Sequence, residues 1–527
     1  MYSFSAFKNR FIVFYLYRIR KLKTPADIIN YSFKRNSTKL LFEDKANNIS
    51  FKFSDLQSEI AKIQDKIGAS FLKPRQVVSL LQGNQKNYYA LRALCHLEDM
   101  IFFALPPGLD SQSILYFLKE TNTTILCSEF FADDIKLALS HERPPIRLIL
   151  LEKTIEPSSN KIPLKRSVSK SSITNVATYN LSSGTTGKTP KIVELSNSNW
   201  ITSVYNFILN TNSDKKPGKR FLCTLPYATA GSTTFLPTFL SGMTQIILSP
   251  GFTPAELSAT LIKNEVNRLF ITPTNFYKLF YYSKNSQIHY PHLVQIIIGT
   301  EVTSSVVIIK AIEYFGPIVY ISYGMVEVLP PLTMLSPNDY FDGKMVDPSA
   351  LKTVGKILKG INLKTVDDLG NDLSITGKTG IINIKGGTVS NGYLKSPEEQ
   401  QNSFHGSWYR SSDYGYFDPK GFLRVLGRKE DLVFSNDKRL VFASEIEDLI
   451  YTFDDVKHCA VTVYNGIPII VISTHHEDRE ALKIEIKKTI EQYLGETIIT
   501  NIITTNEIPV TALGKLNRNA CKNLSNG

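Results

Sequence analysis

From Pro25 onward, short apolar runs alternate with stretches in which apolar residues recur at helical spacing. Ile49–Phe53 reads as a strand, and Leu56, Ile60, Ile63 and Ile67 then mark one face of a helix. Ser54 with Gln57 three positions on predicts a capping box at that helix's start. Val77–Leu81 predicts a strand, Tyr88–Leu97 and Ser111–Lys119 helices, and Thr123–Cys127 another strand. The alternation resumes with apolar strands at Phe221–Leu225, Gln245–Leu248, Arg268–Thr272, Val294–Ile298 and Ile318–Ser322. Strands separated by helices imply parallel βαβ units and an α/β fold. Between them, residues 152–175 are polar, rich in Ser and Lys and without periodicity, so they read as a loop or junction.

The rhythm changes twice more. From Val354 to Leu426 the runs are short and broken by turn signals at Asp368–Gly370, Gly386–Gly387 and Pro419–Gly421, which predicts a β-rich subdomain. Beyond Gly427, Ser444 with Glu447 again spells a capping box. Strands at Ala460–Tyr464 and Ile467–Ser473 and a helix at Arg479–Leu494 complete a small α+β unit. The expected division is an N-terminal segment 1–24, a large domain 25–426 built from βαβ-type subdomains plus a β-rich subdomain, and a small C-terminal domain 427–527. No internal repeat appears.

Composition narrows the picture only a little. A chain of 527 residues with 43% hydrophobic and 20% charged residues is globular and long enough for several cores. The net charge of +12 could serve anionic ligands, a membrane surface or nucleic acid. No RNA- or DNA-binding module pattern accompanies it, so nucleic acid is not expected. Cys95, Cys127, Cys223, Cys459 and Cys521 are odd in number and lack metal or redox spacing, as expected of buried thiols in the cytoplasm. His475 and His476 are adjacent and form no zinc motif. No apolar stretch is long enough to span a bilayer. Residues 4–23 interleave aromatic and aliphatic residues with Lys8, Arg10, Arg18, Arg20, Lys21 and Lys23. That composition suits either a helix lying on a membrane surface or an ordinary first helix packed on the domain.

The candidate chemistry begins at Tyr179–Lys191, YNLSSGTTGKTPK. Its hydroxyls, glycines and lysines would present N–H, O–H and ammonium groups to a polyanion. A nucleotide-triphosphatase P-loop is excluded, because Ser182 stands where that motif needs glycine. Further motifs follow in order: Gly299-Thr300-Glu301, ISYGMVE ending at Glu327, Gly386 with Gly392-Tyr393, WYRSSD ending at Asp413, GRKED from Gly427 to Asp431, and PVTALGKLNR from Pro509 to Arg518. Taken together, over residues 25–520, they resemble the adenylate-forming superfamily of acyl-CoA synthetases, luciferases and carrier-loading adenylation domains.

The resemblance implies a site and a reaction. Ser183, Gly184, Thr185, Thr186, Gly187 and Lys191 would hold the phosphates of ATP, with Glu327 and Thr186 on Mg²⁺. Gly299, Thr300, Glu301, Tyr323 and Gly324 would border adenine, Asp413 would accept the ribose hydroxyls, and Arg428 would contact ribose or phosphate. Lys515 would bridge the α-phosphate and the acid's carboxylate, and Lys515, Glu327 and Thr186 form the catalytic set. Glu430 would be the hinge about which a mobile C-terminal domain turns between half-reactions. Tyr227, Gly231, Val302 and Val328, with Gly299, would line the acid pocket.

Several positions depart from the family pattern. Lys188 and Thr189 stand before Pro190 where one residue is usual, and Ile192 and Val326 replace a glycine and a threonine. Ala228 occupies a histidine position, and Asn436-Asp437 replaces a glycine pair. Ala228-Thr229-Ala230 also lacks the aspartate with which amino-acid-activating relatives bind an amino group. The expected reaction is therefore ATP-dependent activation of a fatty or aromatic acid and its transfer to a thiol, with CoA the expected acceptor. A carrier-protein acceptor and a catalytically idle nucleotide-binding relative are the alternatives.

Overall fold

The computed structural model describes residues 21–140, 145–156, 171–182, 190–211, 219–375, 377–433, 440–464, 467–474, 476, 478–494, 501–511 and 514–524. Two large mixed sheets carry most of the chain. The nine-stranded sheet has at its centre a parallel ladder of Arg220–Cys223, Arg268–Ile271, Gln295–Gly299 and Val319–Met325. Val328–Leu335 then turns back antiparallel. The seven-stranded sheet is built the same way around Val77–Gln82, with Ile101–Ala104 and Thr123–Ser128 parallel on either side. Strands buried on both faces read as continuous apolar runs, which is why Gln295–Gly299 (QIIIG) and Arg268–Ile271 (RLFI) were legible.

The crossover helices begin where short polar side chains can satisfy their first N–H groups. Thr253 caps Pro254–Lys263 in a full capping box with Glu256. Thr272 caps Pro273–Asn285, with Pro273 pre-set for the first turn. The two capping boxes expected elsewhere are corrected. The helix Phe53–Ile67 starts one residue early, and the Lys52 N–H donates to Asp55 (2.7 Å) rather than Ser54 pairing with Gln57. The helix Ala443–Ile450 is entered from Phe442, whose N–H donates to Glu445 (3.1 Å). Ser444 instead donates to the Leu426 carbonyl, and Glu447 accepts from Val461 N–H and Arg518.

The β-rich stretch is a five-stranded sheet ordered Ile361–Val366, Gly380–Gly386, Trp408–Phe417 and Phe404–His405, with Leu423–Arg428 on the far edge of Trp408–Phe417. The final unit pairs Val456–Tyr464 antiparallel with Ile467–Thr474, which runs parallel to Asn501–Thr505. The chain is thus an α/β protein with a large N-terminal part and a smaller C-terminal α+β part. Their apolar residues share one cluster. Ile298, Val307 and Ile308 pack with Val441, Ile446, Ile450 and Cys459.

All five cysteines are buried and free. Residues 1–20 lie outside the described residues, so the basic N-terminal segment is seen only at its end. There Leu22 is buried, and its carbonyl accepts the Tyr205 hydroxyl (2.9 Å). Among the described residues no helix is long and apolar enough to cross a membrane.

Candidate active site

Parallel strands deliver loops to one end of the sheet, and ligands of such sheets bind beyond the carboxyl ends. Gln295–Gly299 and Val319–Met325 end side by side there, with Gly299 opposite Ser322. The approach is close, since a Cβ on Gly299 would lie 3.0 Å from the Ser322 carbonyl oxygen. Thr300 follows at φ 87°, a backbone region that β-branched residues rarely enter. The turn directs Glu301 into a cleft of about 590 Å³ between the large and small parts of the chain. Thr300, Glu301, Val302, Tyr323, Gly324, Asp413, Arg428, Glu430 and Lys515, all singled out from sequence, line it.

One wall is a polar triad held by strand register. Asp413 lies directly across the antiparallel ladder from Arg428, whose Nε is 3.4 Å from Asp413 Oδ1. The Tyr323 hydroxyl donates to Asp413 Oδ2 (2.8 Å). Burial, reinforced by the Asp413 charge, pushes the Tyr323 phenol well above its ordinary pKa, so it remains a donor. Burial works against the Arg428 charge, but Asp413, Glu430, Glu327 and Asp431 outweigh it and raise the pKa. A carboxylate fixed between a hydroxyl and a guanidinium is pre-oriented to accept further hydrogen bonds from a ligand.

The opposite wall is the C-terminal tail. A tight turn closes on Lys515, with Thr511 N–H donating to the Lys515 carbonyl (2.7 Å) and Gly514 N–H to the Thr511 carbonyl (2.9 Å). The large part holds this turn at two points: the Thr272 hydroxyl donates to the Gly514 carbonyl (2.9 Å), and Leu516 N–H donates to Glu301 Oε1 (2.9 Å). Gly514 is at φ 70°, and a Cβ there would meet Asn275 Nδ2 at 2.8 Å. Burial lowers the Lys515 pKa, Glu301 opposes that shift, and Arg428 adds to it. A desolvated ammonium beside a guanidinium makes this region of the cleft ready for an anion.

A second cluster adjoins the cleft. Glu327 accepts the Tyr393 hydroxyl (3.1 Å), and the Lys191 ammonium lies 4.7 Å from the centre of the Tyr393 ring. Burial pushes the Glu327 carboxyl above the usual carboxylate range, against the pull of the Tyr393 hydroxyl, Arg428 and Lys191. Among the described residues no group of three or more His, Cys, Asp or Glu converges as a metal-binding cluster. A single half-buried carboxylate fits a hard divalent cation that keeps its waters and takes phosphate oxygens for its remaining ligands.

Other expected residues lie elsewhere. Ser183, Gly184, Thr185, Thr186 and Gly187 are outside the described residues, as are Asn436 and Asp437. Val328 is fully buried in the core, and Tyr227 packs on Tyr88 (ring centres 5.2 Å apart). Gly231 is pressed against main chain, where a Cβ would come within 2.5 Å of the Leu225 carbonyl oxygen. Of the acid-pocket candidates, only Val302 lines the cleft.

The structure also adds an ionic group that the sequence reading passed over. Arg518 donates to Glu447 (2.7 Å) and lies 3.9 Å from Asp431, under the Lys515 turn. Glu447, Asp431 and Arg518 all line the cleft. Two of the three stand inside the quoted motifs GRKED and PVTALGKLNR, which was the available signal.

The chain is similar to known enzymes in sequence and in fold. A 2-succinylbenzoate–CoA ligase of Listeria monocytogenes is 23% identical over 92% of this chain and 96% of its own. The corresponding ligase of Bacillus pumilus is 25% identical over 92% and 94%. In fold, the chain is similar to the o-succinylbenzoate CoA synthetase of Bacillus subtilis in complex with the acyl-adenylate intermediate (TM-score 0.76, 20% identity, 94% and 97% covered). It is also similar to the amide bond synthetase McbA of Marinactinospora thermotolerans (TM-score 0.79, 18% identity, 95% and 99% covered). The profile of the AMP-binding enzymes matches residues 46–394, two thirds of the sequence and the part that supplies the strand ends on one side of the cleft, and the chain belongs to that family.

Proposed function

We propose that the chain is an ATP-dependent acid–thiol ligase that activates an aryl acid and passes it to CoA, with 2-succinylbenzoate the acid to test first. The observation that carries this reading is the meeting of Lys515 from the tail with Asp413, Tyr323 and Arg428 from the large part in one cleft. The names of the relatives support the acid and the acceptor.

The difficulty of the first step is that a carboxylate must attack the α-phosphate of ATP, so like charges have to meet. Lys515 lies between the two and neutralises that repulsion. Asp413 accepts the ribose hydroxyls, Tyr323 offers its ring to adenine, and Arg428 fixes ribose or phosphate with its fork of donors. Lys191, with Thr185, Thr186 and Gly187 of the glycine loop, holds the outer phosphates. Glu327, with Thr186, would hold Mg²⁺, which when bound supplies positive charge to the phosphate oxygens. The acid's oxygen bonds to the α-phosphorus and pyrophosphate leaves. In the second step the CoA thiolate attacks the acyl carbon and AMP leaves. Glu430, exposed in the Lys429–Asp431 turn between the two parts, is the hinge candidate.

Pyrophosphate release measured over a panel of aryl and fatty acids tests the reading. Turnover with 2-succinylbenzoate and CoA-dependent thioester formation are expected, and EDTA should stop both. No ATP turnover with any acid would sink the proposal. Lys515→Ala is expected to slow adenylation about a hundredfold, the scale seen when a group stabilising developing charge is removed.

A further inference from the structure

The cleft contains one feature that nucleotide and acid binding do not explain. Glu301, expected to border adenine, is a carboxylate in a cleft that would take a polyanion, where negative charge is unfavourable. One of its oxygens nevertheless has a specific protein partner, because Oε1 accepts the main-chain N–H of Leu516, the residue after Lys515, at 2.9 Å. The other, Oε2, is buried without a hydrogen-bond partner in the protein. Lys515 and Arg518 are the cations whose charge acts on this carboxylate. The side chain is delivered by Thr300, a β-branched residue at φ 87°. Backbone held in so sparsely populated a region persists where the surroundings require it.

We propose that Glu301 is a positioning residue for Lys515: it holds the lysine turn by the Leu516 N–H and thereby sets the ammonium for the first half-reaction only. This rests on the ligase reading given above. The bond joins the large part to the tail, two segments separated by the hinge candidate Glu430. Any rotation of the small part about Lys429–Asp431 breaks it, so it contributes to adenylation and not to thioester formation. The Thr272–Gly514 contact (2.9 Å) grips the turn's other side, which leaves Glu301 to fix the direction in which the chain leaves Lys515. Its charge also favours the protonated lysine, which a neutral acceptor would not do. Arg518, anchored to Glu447 (2.7 Å), carries the tail's other end on the small part and moves with it.

The test uses the full chain and two substitutions. Glu301→Ala removes the acceptor, and Glu301→Gln keeps an acceptor oxygen without charge. Adenylation is followed as pyrophosphate release with 2-succinylbenzoate, and the second step as thioester formation from supplied acyl adenylate and CoA. For Glu301→Ala we expect kcat for adenylation at saturating ATP to fall by about tenfold or more, the scale for losing a hydrogen bond to a charged group, and to fall further than kcat for the second step at saturating acyl adenylate, since any lost adenine contact is shared by both steps. Glu301→Gln should recover part of the first step. Equal losses in both steps, or no loss in either, would overturn the assignment.

Hydrogen exchange of the Leu516 amide in the free protein gives a readout independent of any acid. Glu301→Ala should expose it and Glu301→Gln should keep it protected. Unchanged protection in Glu301→Ala refutes the contact even if the ligase reading stands. Faster exchange in a chain with no turnover on any acid retains the contact while the ligase reading fails.

Discussion

At the scale of single residues, the cleft combines groups that would be costly apart. Asp413 has its two oxygens committed to Tyr323 and Arg428, so removing its charge takes a carboxylate partner away from a half-buried guanidinium. Asp413→Asn should raise the KM for ATP by about tenfold or more while leaving the fold intact, checked by ATP titration of pyrophosphate release. Glu327 is the converse case. Burial raises its folded pKa above its unfolded value, so between those two values the folded state binds more protons than the unfolded one. Stability then falls as pH rises through the raised pKa. Glu327→Gln, neutral and of the same shape, should therefore melt above wild type at neutral pH and lose its advantage in acid, while ATP turnover collapses. A variant that melts lower at neutral pH would show that the carboxylate is compensated in the free enzyme. The opposition of stability and activity at one side chain is what a half-buried carboxylate that binds a cation would display.

At the scale of elements, the sequence was readable where burial sets the pattern and ambiguous where local hydrogen bonds do. Strands buried on both faces, such as Gln295–Gly299 and Val456–Tyr464, stood out as β-branched runs, and only their ends shifted. The helix starts did not follow as simply, because Ser-x-x-Gln and Ser-x-x-Glu each contain a hydroxyl and an acceptor at the right spacing. At Phe53–Ile67 the chain uses Asp55, two positions before Gln57, to accept the Lys52 N–H, and the fully buried Phe53 is the first helical residue. Thr253–Glu256 carries the full box and was not singled out. The difference is measurable in urea unfolding. Thr253→Ala should cost about 1 kcal/mol, whereas Ser54→Ala should stay within about 0.5 kcal/mol. Equal costs would mean that Ser54 does cap its helix. The active-site motifs were legible for a different reason. Asp413 and Arg428 are ordinary residues one by one, but they lie opposite each other in a ladder, and the ladder's register fixes their spacing. The Leu516 N–H to Glu301 contact was not legible, since it joins residues 215 positions apart through a main-chain atom that leaves no mark on composition.

At the scale of the whole molecule, the small C-terminal part is seated on the large one by carboxylate, main-chain and aromatic contacts that a rotation must break together. Asp448 accepts Ser305 N–H and its hydroxyl (3.1 Å each) at the start of the helix Ser305–Phe315, and Lys310 reaches Asp454 (2.6 Å). Between them His458 bonds the Tyr451 hydroxyl through Nδ1 (3.0 Å) and the Thr274 carbonyl through Nε2 (3.3 Å), with the Tyr277 ring 5.5 Å away. The Thr274 carbonyl can only accept, so Nε2 carries a proton, and because burial disfavours a second one Nδ1 accepts the Tyr451 hydroxyl. Burial, with a smaller push from Lys278, lowers the His458 pKa from 6.5 to about 4. Between those values the unfolded chain binds a proton that the folded one refuses, so stability is lost as pH falls through that window. The loss should reach roughly 3 kcal/mol by pH 4. Asp448 and Glu301, whose pKa values burial raises, contribute with the opposite sign and mask part of the effect. Comparison with His458→Gln, which keeps a donor for Thr274 but cannot titrate, separates the two. Urea unfolding at pH 7, 5.5 and 4 should show wild type losing stability faster than the variant as acid is added. Parallel curves would mean that His458 is hydrated in the folded state and that the aromatic seat is looser than these contacts require. If the wild type does fall faster, the seat that brings Lys515 to the cleft is an acid-labile one, and pyrophosphate release should fall over the same pH range.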